Sequence, residues 1–548
     1  MSDPAPAPAT DTPEAGGTGD RPDASGRQGT SDGPDPRRWR ALAVCLVAGF
    51  MTLLDVSIVN VALPSIERGL HAPTSDLQWV VSGYALAFGL ALVPSGRIGD
   101  ATGRRRMFVA GVVVFGVGSL LCGLATGSAV LVAARLLQGV GGGMLNPQVS
   151  GLIQELFRGA ERGRAFGMLG ATIGLSTAVG PVTGGLIISA VGPGTGWRWV
   201  FFVNLPVVVA AVVLAMRWLP APSARVRRRE DLDPLGTVLL GAGVLALLLP
   251  LVETGHGQSG GRSVPAWWAA VGAALVVAFV LWERAYARRG RTPLVDLRLF
   301  GLPGYSSGAA VALVYFSAFT GIFFVLTIFF QRALHYSALM AGLAVTPFAL
   351  GSAVTSFVGG RLVGRFGRSL VTVGLALVVA GLVGAAVVLD HARTGTGWYL
   401  AGPLLVAGLG SGMVISPNVT LTLAEVPVEQ AGTAGGVLQT GQRIGTAAGI
   451  ALVGTVFFTL VSDGSPSSAA SRALLVATGL AVLALLASAV DLLARRRSAR
   501  ADRPGQRDGE GEPDRGDQSE HPVAGSRAAP SSDGGGRGPA RRSAQAEG

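Results

Sequence analysis

Charged residues are scarce in this chain of 548 residues, since Asp, Glu, Lys and Arg together make up 14% of it, against about 25% in typical soluble domains. Apolar residues make up 49%, and the excess of glycine, 81 residues, lies in apolar segments, as membrane helices tolerate. This composition excludes an ordinary soluble enzyme. It predicts an all-α polytopic membrane protein.

Several chemistry-bearing residue types are also few or missing. Lysine is absent, the five histidines fall in links or in the C-terminal tail, and both cysteines, Cys45 and Cys122, lie inside apolar segments. Neither cysteine predicts a disulfide or a metal site, and we expect no metal or cofactor. No glycine-rich run ends in the Gly-Lys-Ser/Thr of a P-loop, which excludes an ATP-driven protein.

Fourteen windows contain the about 20 mostly apolar residues that a spanning helix needs. They are 41–63, 78–98, 107–126, 128–152, 165–190, 199–217, 234–252, 265–284, 306–330, 338–362, 369–390, 398–424, 432–461 and 472–494. The first window follows a long polar segment and has no cleavage site, so we interpret it as a retained helix rather than a signal peptide.

Arginine is unevenly distributed between alternate links. Residues 37–494 hold 31 Arg and 17 acids, and the Arg residues cluster in every second link, as at Arg104 to Arg106 and at Arg225 to Arg229, except in the link 425–431, which has none. The positive-inside rule therefore places these links and both termini in the cytoplasm of a cell-membrane protein. Membrane topology explains this charge better than nucleic-acid binding does, so we expect lipid and not nucleic acid as a partner.

Two sequence patterns occur twice. The pattern at 96–105 recurs at 360–368, and the glycine-rich run at 139–144 recurs at 408–413. Spans 1 to 6 therefore correspond to spans 9 to 14, with two spans between them, an organisation typical of secondary transporters. The predicted segments are a disordered tail (1–36), a six-helix half (37–217), a linker with two additional transmembrane helices (218–305), a second six-helix half (306–497) and a disordered tail (498–548).

Five ordered motifs carry a resemblance to a known family. They are Leu54 to Pro64, Gly96 to Arg105, Arg135 to Gly141, Gly180 to Gly185, and Gly196 to Trp199 with Asn204. Over about residues 40–495 the chain resembles the major facilitator superfamily, in particular its fourteen-span drug:proton antiporter branch (EmrB/QacA type). The resemblance implies a major facilitator fold and export of an amphiphilic drug or antibiotic in exchange for protons, by a protein that we expect to act as a monomer.

Asp55 is the one acid well inside an apolar window, where a carboxylate is costly and functional by default. Asp55 and Arg135 lie at similar distances from the outer ends of their windows, so they can meet at one depth. We interpret the pair as the proton-coupling site that the resemblance implies. A permanent ion pair that fixes helix packing is the alternative.

The two remaining motifs have alternative interpretations as well. For the motif at Gly96 to Arg105, the resemblance implies a cytoplasmic gate in which Asp100 binds the other half of the protein. The alternative is a solvated loop, which would have the same sequence. The residues of this gating loop are Gly96, Asp100, Gly103, Arg104 and Arg105. The second motif, Gly180, Pro181, Gly184 and Gly185, resembles the antiporter motif of the fifth helix, with helix packing alone as the alternative, and Ser176 stands where Gly is usual.

A further set of residues is predicted to line a substrate cavity. These candidates are Asn60, Tyr84, Phe88, Gln138 and Arg443. For the aromatic residues, core packing is the alternative, and Arg443 has no acid at matching depth in spans 9 to 14. Rival functions are a proton-coupled importer of a small metabolite and a membrane sensor or integral enzyme, although the sequence contains no catalytic constellation for the latter.

Overall fold

The computed structural model describes residues 37–192, 194–221, 233–254, 265, 267–391, 395–463 and 465–501. Within these residues the chain forms helices and their connections, with no strand. The predictions for 1–36, for 502–548 and for the Arg-rich link at 222–232 lie outside the described residues. The packing below is that of the compact unit that ends at Arg495.

The first part of the chain folds into seven α-helices. They are α1 (Arg37–Leu70), α2 (Thr74–Thr102), α3 (Arg104–Leu124), α4 (Ser128–Leu156), α5 (Gly159–Val191), α6 (Gly196–Phe202) and α7 (Asn204–Trp218). Two helices follow, α8 (Pro234–Thr254) and α9 (Trp267–Arg288).

The last part of the chain folds into seven more α-helices. They are α10 (Pro303–Ile328), α11 (Ala338–Phe366), α12 (Arg368–Asp390), α13 (Thr396–Tyr399), α14 (Ala401–Thr422), α15 (Ala431–Asp463) and α16 (Pro466–Ala501). A π-helical turn, Phe329–Ala333, extends α10, and α16 continues into the segment predicted as the C-terminal tail.

Every predicted window coincides with helix, and thirteen helices of the described residues are long and apolar enough to cross a membrane. The window at 234–252 corresponds to α8, whose apolar run, Pro234–Pro250, is shorter. Two windows are divided, at Val203 between α6 and α7 and at Leu400 between α13 and α14. Val203 keeps helical dihedrals (φ −60°, ψ −23°) and its N–H donates to the carbonyl oxygen of Trp199 four residues earlier (3.0 Å), so α6 and α7 together form one span.

The repeated glycine runs make the same helix contacts in both parts of the chain. Gly139 of α4 lies against the carbonyl oxygen of Tyr84 on α2, and Gly408 of α14 lies against the carbonyl oxygen of Phe348 on α11. In addition, α4 packs on α3 and α14 packs on α12. The sequence repeat is therefore also a repeat of packing.

Two helix pairs make the most extensive contacts between the first part of the chain and the last. Along the first pair, α5 and α11, Gly163 lies against Gly360 at one end and Gly174 lies against Ala349 further along. These small residues allow the two backbones to approach closely. The second pair is formed by α2 and α15, which run side by side.

The additional helices α8 and α9 pack against the second of these pairs. Val244 and Leu248 of α8 form one apolar cluster with Leu86 of α2 and Ala447 of α15. Asp233, which precedes α8, accepts hydrogen bonds from the Gly236 N–H (2.9 Å) and from Trp282 Nε1 of α9 (2.8 Å). The α8–α9 hairpin therefore lies over the seam between α2 and α15.

Candidate functional site

Asp55 lies at the centre of a buried polar cluster inside the first six spans. Its Oδ2 accepts a hydrogen bond from Arg135 Nη1 at 2.6 Å, and its Oδ1 accepts hydrogen bonds from Gln138 Nε2 and Asn204 Nδ2, each at 2.9 Å. Asp55 and Arg135 are both 1% exposed. The structure thus brings the two residues of the predicted ion pair into direct contact, away from solvent.

Polar and aromatic groups of the cluster surround the guanidinium of Arg135. Its Nε donates to the carbonyl oxygen of Val80 (3.0 Å), its Nη1 also donates to Gln138 Oε1 (2.7 Å), and its guanidinium carbon lies 4.2 Å from the centre of the Tyr84 ring. A guanidinium over an aromatic face is attracted by the quadrupole of the ring. The arrangement satisfies a charge that would otherwise be costly in the membrane.

Two members of the cluster are not among the sequence-predicted site residues. Asn204 Nδ2 also donates to Ser119 Oγ at 2.9 Å, and Ser119 in turn accepts a hydrogen bond from Gln138 Nε2 at 3.2 Å. Asn204, at the start of α7, is 2% exposed, and Ser119, on α3, is 0% exposed. The signal that could have identified them is a small polar side chain inside an apolar window.

Asp100 connects α2 to the N-terminus of α15. Its carboxylate accepts hydrogen bonds from the N–H groups of Gly432 (3.1 Å) and Thr433 (2.8 Å) and from Thr433 Oγ1 (2.9 Å). An acidic side chain is favourable there because a helix N-terminus presents unpaired N–H groups and a partial positive charge. This contact ties the C-terminal end of α2 to the other half of the chain.

The arginines of the predicted gating loop extend this connection. Arg104 donates to Asp100 (2.9 Å) and to Glu155 (2.8 Å), and also to the backbone carbonyl of Val428, just before α15. Arg105 donates to the carbonyl oxygen of Leu219, after α7.

Backbone geometry explains two of the glycines in this loop. A side chain at Gly96 would overlap the Gly432 backbone, and Gly103, at φ 108°, adopts a conformation that favours glycine in the turn between α2 and α3.

The second copy of this motif has a different arrangement. Gly364 stands where the first copy has Asp100, and the space beside it is open. Arg368, which corresponds to Arg104, instead contacts Asp491 of α16 (3.2 Å) and Asn418 of α14 (3.3 Å). Among the described residues, an acid-to-helix contact of this kind is therefore present in the first copy and absent from the second.

The predicted antiporter motif lies where α5 meets α1 and α11. Gly180 lies against Ser57 of α1, Gly184 lies against Ile58 of the same helix, and Pro181 lies against Gly342 of α11, whereas the space beside Gly185 is open. The motif therefore contacts both halves of the chain.

The residues predicted to line a substrate cavity fall into different environments. Gln138 is fully buried in the Asp55 cluster, and Tyr84 and Phe88 are 4% and 3% exposed, whereas Asn60 is exposed and lies further along α1. Arg443 is partly exposed, with its guanidinium carbon 4.4 Å from the centre of the Phe88 ring. Tyr84, Phe88 and Arg443 thus lie together, and Asn60 lies apart from the Asp55 cluster.

No group of three or more His, Cys, Asp or Glu residues within the described part of the chain could hold a metal ion.

The chain matches a family model and is similar in sequence to transport and resistance proteins. The family model described as Major Facilitator Superfamily matches residues 45–450. The probable actinorhodin transporter of Streptomyces coelicolor is 39% identical over 500 residues, which cover 90% of this chain and 85% of that protein. The puromycin resistance protein pur8 of Streptomyces alboniger is 38% identical over 434 residues, 77% of this chain and 82% of that protein.

The fold is similar to that of a solved transporter. The crystal structure of the human organic anion transporter MFSD10 (TETRAN) matches with a TM-score of 0.59 and 16% sequence identity, covering 83% of this chain and 100% of the other. At this identity the similarity concerns the fold alone.

Proposed function

The chain belongs to the major facilitator superfamily, and from that premise we propose that it exports an amphiphilic, antibiotic-like compound from the cell in exchange for protons. It is a multi-pass membrane protein, and the names of its relatives, a transporter of one antibiotic and a resistance protein for another, support drug export. The fourteen-span antiporter branch belongs to the same proposal.

The buried Asp55 carboxylate is the observation that carries the proton part of this proposal. It is the acid of a cluster that joins α1, α3, α4 and α7, because Arg135, Gln138 and Asn204 all donate to it or to its neighbours. A proton on Asp55 would remove the negative charge that holds these donors together. Protonation can therefore bias the packing of four helices, which is what coupling requires.

The contact between Asp100 and α15 supports alternating access. It closes the cytoplasmic end of the α2–α15 seam with an ion-to-helix contact that can form and break as a unit. Two discrete packings of one interface are the usual means by which such transporters change access. We propose that release of Asp100 from Thr433 accompanies opening to the cytoplasm.

The direction and coupling of transport are tested in inside-out vesicles. An exporter accumulates dye in such vesicles when their interior is acidified, whereas an importer releases preloaded dye. Suitable probes are anionic 1-anilinonaphthalene-8-sulfonate, neutral N-phenyl-1-naphthylamine and cationic rhodamine 6G. We expect acid-dependent accumulation, and release of preloaded dye would instead support the importer.

The proton site is tested with Asp55→Asn, which keeps the shape of the side chain but cannot titrate. We expect it to insert and fold but to lose acid-driven accumulation of dye. Asp390→Asn is the matched control, because Asp390 is exposed at the end of α12 and should retain wild-type transport. Wild-type accumulation per folded molecule of Asp55→Asn would contradict the proposal and leave the ion pair a structural role.

A further inference from the structure

Arg443 is a membrane-embedded cation whose charge is not balanced by any acid of the described residues. Among the described residues no carboxylate lies within salt-bridge distance of its guanidinium, which lies over the ring of Phe88. By contrast, Arg135 pairs with Asp55 and Arg368 with Asp491. A charge inside the membrane is expensive and normally faces a partner or a water-filled cavity. The partial exposure of Arg443 agrees with the second case.

Two buried hydroxyl groups near Arg443 also have no partner among the described residues. Tyr84 is 4% exposed and Thr440 is 6% exposed, yet neither hydroxyl makes a hydrogen bond there. Thr440 precedes Arg443 by three residues, which places both on one face of α15. Buried polar groups are normally satisfied, so unpaired hydroxyls beside an unbalanced cation point to a missing ligand.

Aromatic rings connect these polar groups. The Phe88 ring contacts both Arg443 and Tyr84: its centre lies 4.4 Å from the Arg443 guanidinium carbon and 6.0 Å from the centre of the Tyr84 ring, and Tyr84 also lies against Arg135. We name Arg443, Phe88, Tyr84 and Thr440 the Arg443 patch. It combines one positive charge, two hydroxyl donors and an aromatic face, and it lies on α2 and α15, one helix from each half.

We propose that the Arg443 patch binds the acidic group of the exported compound, so that the cargo is an amphiphilic anion with an aromatic body. A guanidinium can donate two parallel hydrogen bonds to a carboxylate or sulfonate. The hydroxyls of Tyr84 and Thr440 donate to the same group, and the aromatic body packs against Phe88. This inference rests on the proposed function and specifies its substrate class.

The charge balance of the surrounding helices supports an anion rather than a cation. Asp55 is already neutralised by Arg135, and its remaining oxygen accepts from Gln138 and Asn204, so it offers no free negative charge to a cationic compound. A cationic drug at the same place would face the unbalanced charge of Arg443 and would be repelled.

The test measures equilibrium binding to the full-length protein in nanodiscs without a proton gradient, so that it does not depend on transport. The probes are 1-anilinonaphthalene-8-sulfonate and N-phenyl-1-naphthylamine, which share one aromatic body and differ in the sulfonate. We expect the wild type to bind the sulfonate about tenfold or more tightly than the neutral probe, as a charge-assisted pair would give. Arg443→Gln should lose this preference, and Arg443→Lys should keep part of it.

Arg361→Gln is the matched control, because Arg361 also lies over a phenylalanine ring, that of Phe357 at 4.3 Å, but is exposed. It should leave the ratio of the two affinities unchanged. If Arg443→Gln does not fold, Tyr84→Phe, which removes one hydroxyl, should weaken sulfonate binding about threefold and spare the neutral probe.

Three results would overturn the proposal: equal affinities in the wild type, no binding of the sulfonate, or an unchanged ratio in folded Arg443→Gln and Tyr84→Phe proteins. Loss of the proposed function would appear differently, as absence of gradient-driven movement of all three dyes while this binding preference remained.

Discussion

Asp55 has three side-chain donors, and they come from two helices that are distant in sequence, α4 and α7. A single carboxylate thereby determines how these helices meet α1. The hydrogen bonds lie in a region from which water is excluded, where an unpaired donor costs more than it would at the surface. Removing any one of these donors should therefore destabilise the whole cluster.

Asn204→Ala tests this dependence at the residue scale. The substitution removes a donor from Asp55 and another from Ser119, so we expect it to destabilise the protein by about 1–3 kcal/mol. The measurement is the midpoint of thermal unfolding in detergent. Asn146→Ala is the matched control, because Asn146 donates to the carbonyl oxygen of Gly142 in its own helix. Equal midpoints for the two variants would contradict a central role for Asn204.

At this scale the sequence predicts how deep in the membrane a residue lies, but not towards which side of its helix the side chain points. Asp55 and Arg135 could be paired because they lie at similar distances from the ends of their windows. In the structure Arg135 Nη1 lies 2.6 Å from Asp55 Oδ2. Ser119 and Asn204 stand out as small polar side chains inside apolar windows, but they were not assigned to the site, since hydropathy does not say which face of α3 or α7 points inward. Phe88 as the neighbour of Arg443 could not be predicted either, because that contact requires knowing that α2 packs beside α15.

At the scale of the elements, the start of α15 depends on its contacts with α2. Its first N–H groups donate to Asp100 of α2, and Gly96 and Gly432 let the two backbones touch. A methyl group at Gly96 has no room in this closed arrangement. The corresponding glycine in the second copy, Gly360, is equally crowded, in its case by Gly163 and Gly167.

Gly96→Ala should therefore shift the proposed cytoplasmic gate towards the open arrangement. We expect a cysteine at position 150, now a serine that is 3% exposed and faces α15, to react about tenfold faster with a membrane-impermeant maleimide, a shift of about 1.4 kcal/mol. The reaction is followed in inside-out vesicles, where the buried Cys45 and Cys122 give little background. Gly364→Ala, at an open position, should not change the rate, and an equal acceleration by both would contradict the steric argument.

The helices themselves were predictable because a spanning helix must be long and continuously apolar. Windows such as 432–461 agree closely with α15, Ala431–Asp463. The ends are less predictable, since α1 extends from Arg37 to Leu70, well beyond the apolar core that hydropathy detects. The division at Val203 escaped prediction because it leaves the apolar composition of the window unchanged.

On the scale of the whole molecule, the distribution of arginine predicts the orientation in the membrane. Epitope tags at residue 1, within 220–232, within 286–300 and at residue 548 should all be accessible from the cytoplasm and not from outside. Selective labelling of intact cells and of inside-out vesicles measures this. A tag within 286–300 that is labelled in intact cells would break the fourteen-span arrangement, since that link follows the two additional helices.

The α8–α9 hairpin makes the two seams between the halves unequal. It lies over the α2–α15 seam through Val244 and Leu248, whereas Leu175 of α5 and Leu350 and Val354 of α11 remain exposed beside the other seam. A compound dissolved among the acyl chains therefore meets the hairpin on the α2–α15 side and exposed apolar side chains on the α5–α11 side. Lateral entry from the bilayer, for a cargo that partitions into lipid, has one side of this protein available to it.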